Sequence, residues 1–302
     1  MDKVSESKCM LTVAHIVSPV HVDKKSDLFV AQPITFRTMQ VARQFARDKV
    51  DVRLYSAQFE EDKPIIPPHL QQTPELERSV LDMDTFDSQR KLPLLADVLD
   101  RLYSATRADY LIYSNVDIAL MPAFYTVIEQ IVASGYDAFV INRRTIANHY
   151  QNDQLALMYA DVGEKHPGHD CFVFRRDAYP DYELGGVCLG IRFVGRVLLW
   201  NLVCHARQFR EFKDLHVTFH LGNEKTWRSD QYIDYARYNE REAMNVLATL
   251  EAKHGPLDNH DLLRPYVSDL RATSLGRRIK SWMQRGLHSV SRVLTHAEAK
   301  LE

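Results

Sequence analysis

The sequence predicts an α/β protein, a mostly parallel mixed sheet flanked by helices, followed by a C-terminal helical extension. Two observations predict it. The chain opens on a strand–helix–strand pattern, and strand-like and helix-like segments keep alternating through residue 144. Parallel neighbours need a crossover connection, usually a helix, so this alternation marks a parallel sheet.

The elements follow in order. Residues 10–20, MLTVAHIVSPV, form an apolar, β-branched run stopped by Ser-Pro, a buried first strand. Residues 33–49 space Ile34, Met39, Ala42, Phe45 and Ala46 as a helix does, with Pro33 suited to its first turn. Residues 50–59 alternate with period two, a second strand. Residues 60–75 carry four prolines and read as a surface loop. Within 87–106, Leu94, Leu95, Val98, Leu99 and Leu102 share one helical face, and Pro93 stands near its start. A strand over 108–120, a helix over 121–135 and a strand over 136–144 complete the regular half. Beyond it the pattern predicts a long polar stretch at 145–170, a strand and turn at 171–180 and a helix at 193–209. A strand and loop at 214–227 and a helix at 230–255 follow.

Composition excludes several classes. With 302 residues, 45% hydrophobic and 26% charged, the chain is an ordinary globular protein. A formal net charge of −2 provides no basic field for nucleic acid. Its four cysteines, Cys9, Cys171, Cys188 and Cys204, make no CxxC pair and match no zinc spacing, so reduced thiols are expected. The polar N-terminus lacks a signal peptide's apolar core, and no run reaches the ~18 apolar residues of a membrane span. The expected location is the cytoplasm.

Chemistry is sought where strands end, because ligands of parallel α/β sheets bind beyond the carboxyl ends. Asn115 and Asp117 stand where the strand YLIYS runs out. Two apart on an extended chain, they would face one side. Such a tip suits a hard cation or a ribose hydroxyl, and Mg²⁺ needs only one or two protein carboxylates when phosphates supply the rest. An Asx turn that merely stops the strand is the alternative. In DLHVTFHLG, His216, Thr218 and His220 alternate with core residues, and His220 lies near a strand end; a solvated histidine face is the alternative. In GHDCFVF, Asp170 precedes an apolar strand and could accept a proton or bind a hydroxyl; a turn aspartate is the alternative. Arg143 and Arg144 end a strand on the same sheet edge as Asp117, and Lys91 precedes a helix whose N-terminus favours phosphate.

Taken in order, RKLPLLADVLD (90–100), DYLIYSNVDIAL (109–120), DAFVINRR (137–144), GHDCFVFRRDAYP (168–180), GIRFVGRVLLWNLVCHAR (190–207) and DLHVTFHLG (214–222) resemble bacterial GT-A-type glycosyltransferases over residues 10 to 228. The resemblance implies a Rossmann-like nucleotide-sugar and acceptor domain over 1–228 and a helical extension over 229–302. It implies a nucleotide-sugar donor, a glycan or lipid-linked acceptor and a divalent cation, Mn²⁺ or Mg²⁺. Asn-Val-Asp is similar to the family's Asp-x-Asp motif. Asp117 then matches the metal-binding aspartate, with Asn115 in place of the first aspartate. His220 is similar to a late histidine of the metal shell, and Asp170 falls where an acceptor-side base lies. Asn115, Asp117, Lys91 and Arg144 are the expected donor-binding residues. Trp200 and Asn201 match part of an acceptor-side motif that here lacks its aspartate. A degenerate domain that binds a glycan or a protein is the competing expectation. Nucleotidyl transfer is a third, lowered by the absence of a Walker-type glycine loop.

The last segment, 274–301, sets Leu275, Ile279, Trp282, Leu287 and Leu294 near one helical face among the basic residues Arg277, Arg278, Lys280, Arg285 and Arg292. It is expected to lie on an anionic membrane surface, which would make the protein peripheral at the inner face, or to dock on the core or a partner chain.

Overall fold

The computed structural model describes residues 10–222 and 232–273. The chain divides into two compact units, Met1–Val246 and Leu247–Glu302. In the first, β1 (Leu11–Val17), α1 (Leu28–Ala46) and β2 (Val50–Ser56) form the expected opening crossover. β3 (Gln71–Gln72), α2 (Leu95–Ala105), β4 (Tyr110–Ser114), β5 (Ala119–Leu120), α3 (Phe124–Ala133) and β6 (Ala138–Ile146) follow. Then come α4 (Leu155–Ala160), β7 (Glu164–Arg175), α5 (Val194–His205), β8 (Phe209–Phe212) and β9 (Thr218–Leu221). Among the described residues one sheet runs β3-β2-β1-β4-β7-β6-β9-β5, with β8 also paired to β6. Strands β1, β2, β3 and β4 are parallel, as are β8 and β9 with β6; β7 is antiparallel to both its neighbours. This is the mostly parallel, Rossmann-like sheet that the resemblance implies.

Strand alternation divides the core between the two sheet faces. On one face Val13, Ile112, Phe139 and Val173 meet Met39 and Ala42 of α1 and Phe124 and Ile128 of α3. Fully burying each of the Val, Ile, Phe and Met side chains here contributes roughly 1.5–3 kcal/mol. On the same face His15 is fully buried, with Nδ1 2.9 Å from the Tyr125 hydroxyl and Nε2 2.8 Å from the Ser114 hydroxyl. It thereby ties β1 to the last residue of β4.

Several elements differ from the sequence expectation. Helix α1 starts at Leu28, before Pro33, because the Asp27 carboxylate accepts from the Leu28 amide at 3.0 Å. Pro33 sits inside the helix on its exposed side, where water can reach the carbonyl it leaves without a donor. The long polar stretch 145–170, given no element from the sequence, holds α4 and the polar first half of β7, which pairs with β6. The strand expected over 108–120 breaks at Ser114, turns, and resumes as β5 beside β9. The helix expected to 209 stops at His205, because Phe209–Phe212 leave it to pair with β6. Trp200 and Asn201 are fully buried; the Asn201 amide accepts from Glu183 N and donates to Glu183 O, both at 2.7 Å. Both side chains pack in the core beneath α5. Cys171, Cys188 and Cys204 are free thiols.

Helix α6 (Ile233–His254) crosses into the second unit, where residues 264–273 are again helical. There Arg271 bridges Glu251 at 2.7 Å and Asp258 at 2.5 Å. No helix among the described residues is long and apolar enough to cross a membrane. The basic segment 274–301 lies outside the described residues.

Candidate functional site

The site is built where β4 ends. After Ser114 the chain turns, with Ile118 N donating to Asn115 O at 3.0 Å. Asn115 and Asp117 therefore do not share one side of an extended strand. The turn sends them to different partners.

Asp117 meets His220, its Oδ2 3.1 Å from His220 Nε2. His220 Nδ1 donates to the Gly222 carbonyl at 2.8 Å. Both ring nitrogens thus face oxygen acceptors, which only the imidazolium satisfies. Burial favours the neutral imidazole, but the hydrogen bond and charge of Asp117 outweigh it and hold the His220 pKa above its usual value. Burial likewise pushes Asp117 up, and the His220 bond and charge, with the Arg143 charge, overcome it and hold the carboxyl below its usual range. The second oxygen, Asp117 Oδ1, is buried and has no hydrogen-bond partner. Asp117 and His220 line a cleft of about 210 Å³, closed on the other side by Lys25, Ser26, Asp27 and Val30 around the start of α1, and by Asn148.

Asn115 meets Asp170. Its amide nitrogen donates to Asp170 Oδ1 at 3.1 Å, and its backbone N–H donates to the Asp170 carbonyl at 3.1 Å. Tyr113, whose phenol is kept protonated by burial and by the charges of Asp117 and Asp170, donates to Asn115 Oδ1 at 3.1 Å. Arg143 donates to Asp170 Oδ2 at 2.6 Å, and the two side chains are only 12% and 11% exposed. Their meeting has a backbone cause. The β6–β7 ladder is irregular between Ile141 and Arg144: Ile141 pairs with Cys171 and Asn142 with His169, so neither Asp170 nor Arg143 has a ladder partner. Bulges of this kind re-aim side chains, here toward each other. The irregular segment is tied down by Glu211, which accepts from the Asn142 amide at 2.9 Å and lies 3.1 Å from His169 Nε2. Burial raises the Glu211 pKa, but His169 and Asn142 outweigh it and pull it down to about 2.

The structure thus gathers Asn115, Asp117, Asp170 and His220 into two linked pairs at the carboxyl end of β4. It does not bring Lys91 or Arg144 to the cleft. Lys91 is held 2.9 Å from Glu61 and stands over the Phe59 ring, on the segment after β2. Arg144 donates to the Val162 and Gly163 carbonyls, which makes it an anchor of the chain entering β7. The arginine at the site is its neighbour Arg143, whose Nε is buried without a partner. His216 stands ahead of β9, and Thr218 and His220 are buried, so the alternative of a solvated histidine face does not hold.

Among the described residues no group of three or more His, Cys, Asp or Glu side chains is placed to hold a metal ion. Asp117 and His220 nevertheless fit a cation that takes its remaining ligands from phosphate and water, because Asp117 Oδ1 is an acceptor with nothing to accept from.

No protein-family model matches the chain, and no curated protein matches it. Solved structures similar to it include residues 1–349 of S. aureus TarS with UDP-GlcNAc, at 8% identity and TM-score 0.45, covering 78% of this chain and 67% of that one. Mannosyl-3-phosphoglycerate synthase from Rubrobacter xylanophilus has 12% identity and TM-score 0.45, covering 81% and 76%. Glucosyl-3-phosphoglycerate synthase from Mycobacterium tuberculosis, with Mn²⁺, UDP-glucose and phosphoglyceric acid, has 15% identity and TM-score 0.42, covering 82% and 80%. The chain spans 40% of a longer TarS chain. At these identities and scores the likeness is one of chain course, and no residue role rests on it.

Proposed function

We propose that this protein is a glycosyltransferase that moves a sugar from a nucleotide diphosphate to a hydroxyl acceptor, a glycan or a lipid-linked glycan of bacterial surface polysaccharide synthesis. The observation that carries the reading is the Asp117–His220 pair, with its unpartnered carboxylate oxygen, opening into a cleft at the carboxyl end of β4. In parallel sheets this is where nucleotides bind. Asp117 and His220 would hold a divalent cation, Mn²⁺ or Mg²⁺, which offsets the charge of the leaving diphosphate. The chain's own residues supply the rest. Gly222 orients the His220 ring through Nδ1, so that Nε2 faces Asp117. Lys25 is the cationic side chain that lines the cleft, beside the Asp27 carboxylate that caps α1. To ligate a cation through Nε2, His220 would have to give up the proton it shares with Asp117.

Calorimetric titration with nucleoside diphosphates and nucleotide sugars, with Mn²⁺ or Mg²⁺ and with chelator, tests the reading. Metal-dependent binding that Asp117→Ala abolishes is the expected result. A folded protein that binds none of them is a non-catalytic binding domain. The basic segment 274–301 is proposed to bring the enzyme to an anionic membrane surface. Liposome co-sedimentation of the full chain and of one ending at residue 273 checks this, and equal recovery in the supernatant removes it.

A further inference from the structure

We propose that Asn115 and Asp170 are a matched amide–carboxylate pair that positions Asp117, so that Asp170 serves by holding the donor-binding turn and not by taking the acceptor's proton. This rests on the transferase reading, since the turn it holds is the one that carries Asp117.

The pair is doubly tied, through the Asn115 amide to Asp170 Oδ1 and through the Asn115 backbone to the Asp170 carbonyl, both at 3.1 Å. The Asp170 carboxylate settles which way the amide faces, because it only accepts: it must meet the Asn115 nitrogen, and the amide oxygen is left to accept from the Tyr113 hydroxyl. A carboxylate at 115 would stand 3.1 Å from the Asp170 carboxylate, two like charges with no donor between them. Residue 170 therefore dictates an amide at 115. The negative charge resides on β7 and is met there by Arg143 at 2.6 Å.

The same contacts argue against proton transfer at Asp170. Oδ1 accepts from Asn115, Oδ2 accepts from a guanidinium, and the side chain is 11% exposed, which leaves an acceptor hydroxyl little access. What the pair does control is the turn. Asn115 closes it by accepting from Ile118 N at 3.0 Å, and Asp117 lies inside it, aimed at His220. Releasing Asn115 frees Asp117 to leave His220. Asp170 is thus a positioning residue, and so is Arg143 behind it.

The test is a double-mutant cycle on the full chain: Asn115→Asp, Asp170→Asn and the exchange N115D/D170N. Each is read by metal-dependent nucleoside diphosphate binding and by urea unfolding. Each single variant is expected to weaken nucleotide binding by about tenfold to a hundredfold, the cost of breaking a hydrogen bond to a charged group. The exchange rebuilds the amide–carboxylate bond in the opposite sense and should recover most of that loss. Asn115→Asp that binds as tightly as wild type overturns the pairing. Asp170→Asn that binds nucleotide as tightly as wild type overturns the positioning role. Wild-type protein that binds no nucleotide defeats the transferase reading instead. The unfolding cycle then still judges the pair, and additive single effects there overturn it.

Discussion

His15 makes acid sensitivity a quantitative prediction. It is fully buried in the middle of β1, and burial pushes its pKa down to about 3. An unfolded histidine titrates near 6.5, so between those values the unfolded chain binds a proton that the folded chain refuses. The sign follows: a depressed histidine pKa contributes stability above pH 6.5 that is lost as pH falls toward 3. From pH 7 to pH 4 this one side chain costs the fold about 3 kcal/mol, at about 1.4 kcal/mol for each pH unit of the window. His15→Gln keeps a donor and an acceptor for Ser114 and Tyr125 but cannot take the proton. Urea midpoints of the two proteins at pH 7, 5.5 and 4 isolate the term, since every other group titrates alike in both. The wild-type midpoint should fall further than the variant's, by about 1 M at a urea dependence of about 3 kcal/mol/M. Parallel midpoints across that range would refute the reasoning and mean that His15 is protonated or solvated in the fold. The residue bears on the site because its Nε2 partner, Ser114, immediately precedes Asn115.

Other outcomes follow from the same structure. Arg143→Met leaves the Asp170 carboxylate buried without its cation and should cost about 3–5 kcal/mol in urea unfolding, with partial recovery in Arg143→Lys. The Asp117–His220 pair contributes most between the unfolded pKa values, about 4 and 6.5. Its Asp117 part is lost as pH falls through the lowered folded pKa, and its His220 part as pH rises through the raised one. Titration of the His220 ring proton by NMR should show its pKa dropping below the ordinary value in Asp117→Asn, where burial and the Arg143 charge outweigh the Gly222 carbonyl bond; an unchanged value refutes the pairing. Gly163 has φ +59 and no room for a Cβ, which would lie 2.4 Å from the Thr145 carbonyl. Gly163→Ala should therefore destabilise by about 1–3 kcal/mol, read as a lowered thermal midpoint.

Much of the first half was legible because local periodicity and burial agree there. The apolar run of β1, the period-two pattern of β2 and the leucine face of α2 each state a strand or a helix without help from distant residues. The β7 segment before Asp170 was not legible, because its polar residues pair with β6 at the sheet's rim and carry no apolar signal. The short strand Phe209–Phe212 is absent from the sequence expectation, which runs the helix to 209, for a related reason: its strand character comes from β6 beside it, not from its own pattern.

The sequence by itself determined that a parallel sheet would form and that Asn115 and Asp117 would stand at the end of one of its strands. Those facts follow from hydrophobic period and from where polar residues interrupt it. Only the tertiary structure decided the partners, matching Asp117 with His220, 103 positions away, and Asn115 with Asp170, 55 positions away. It also chose Arg143 over Arg144, since the paired irregularity in β6 and β7 turns Arg143 onto Asp170 and leaves its neighbour to bind carbonyls. Strand alternation can assign two adjacent arginines to opposite faces, but which face holds the site depends on register with a strand that the local sequence does not contain.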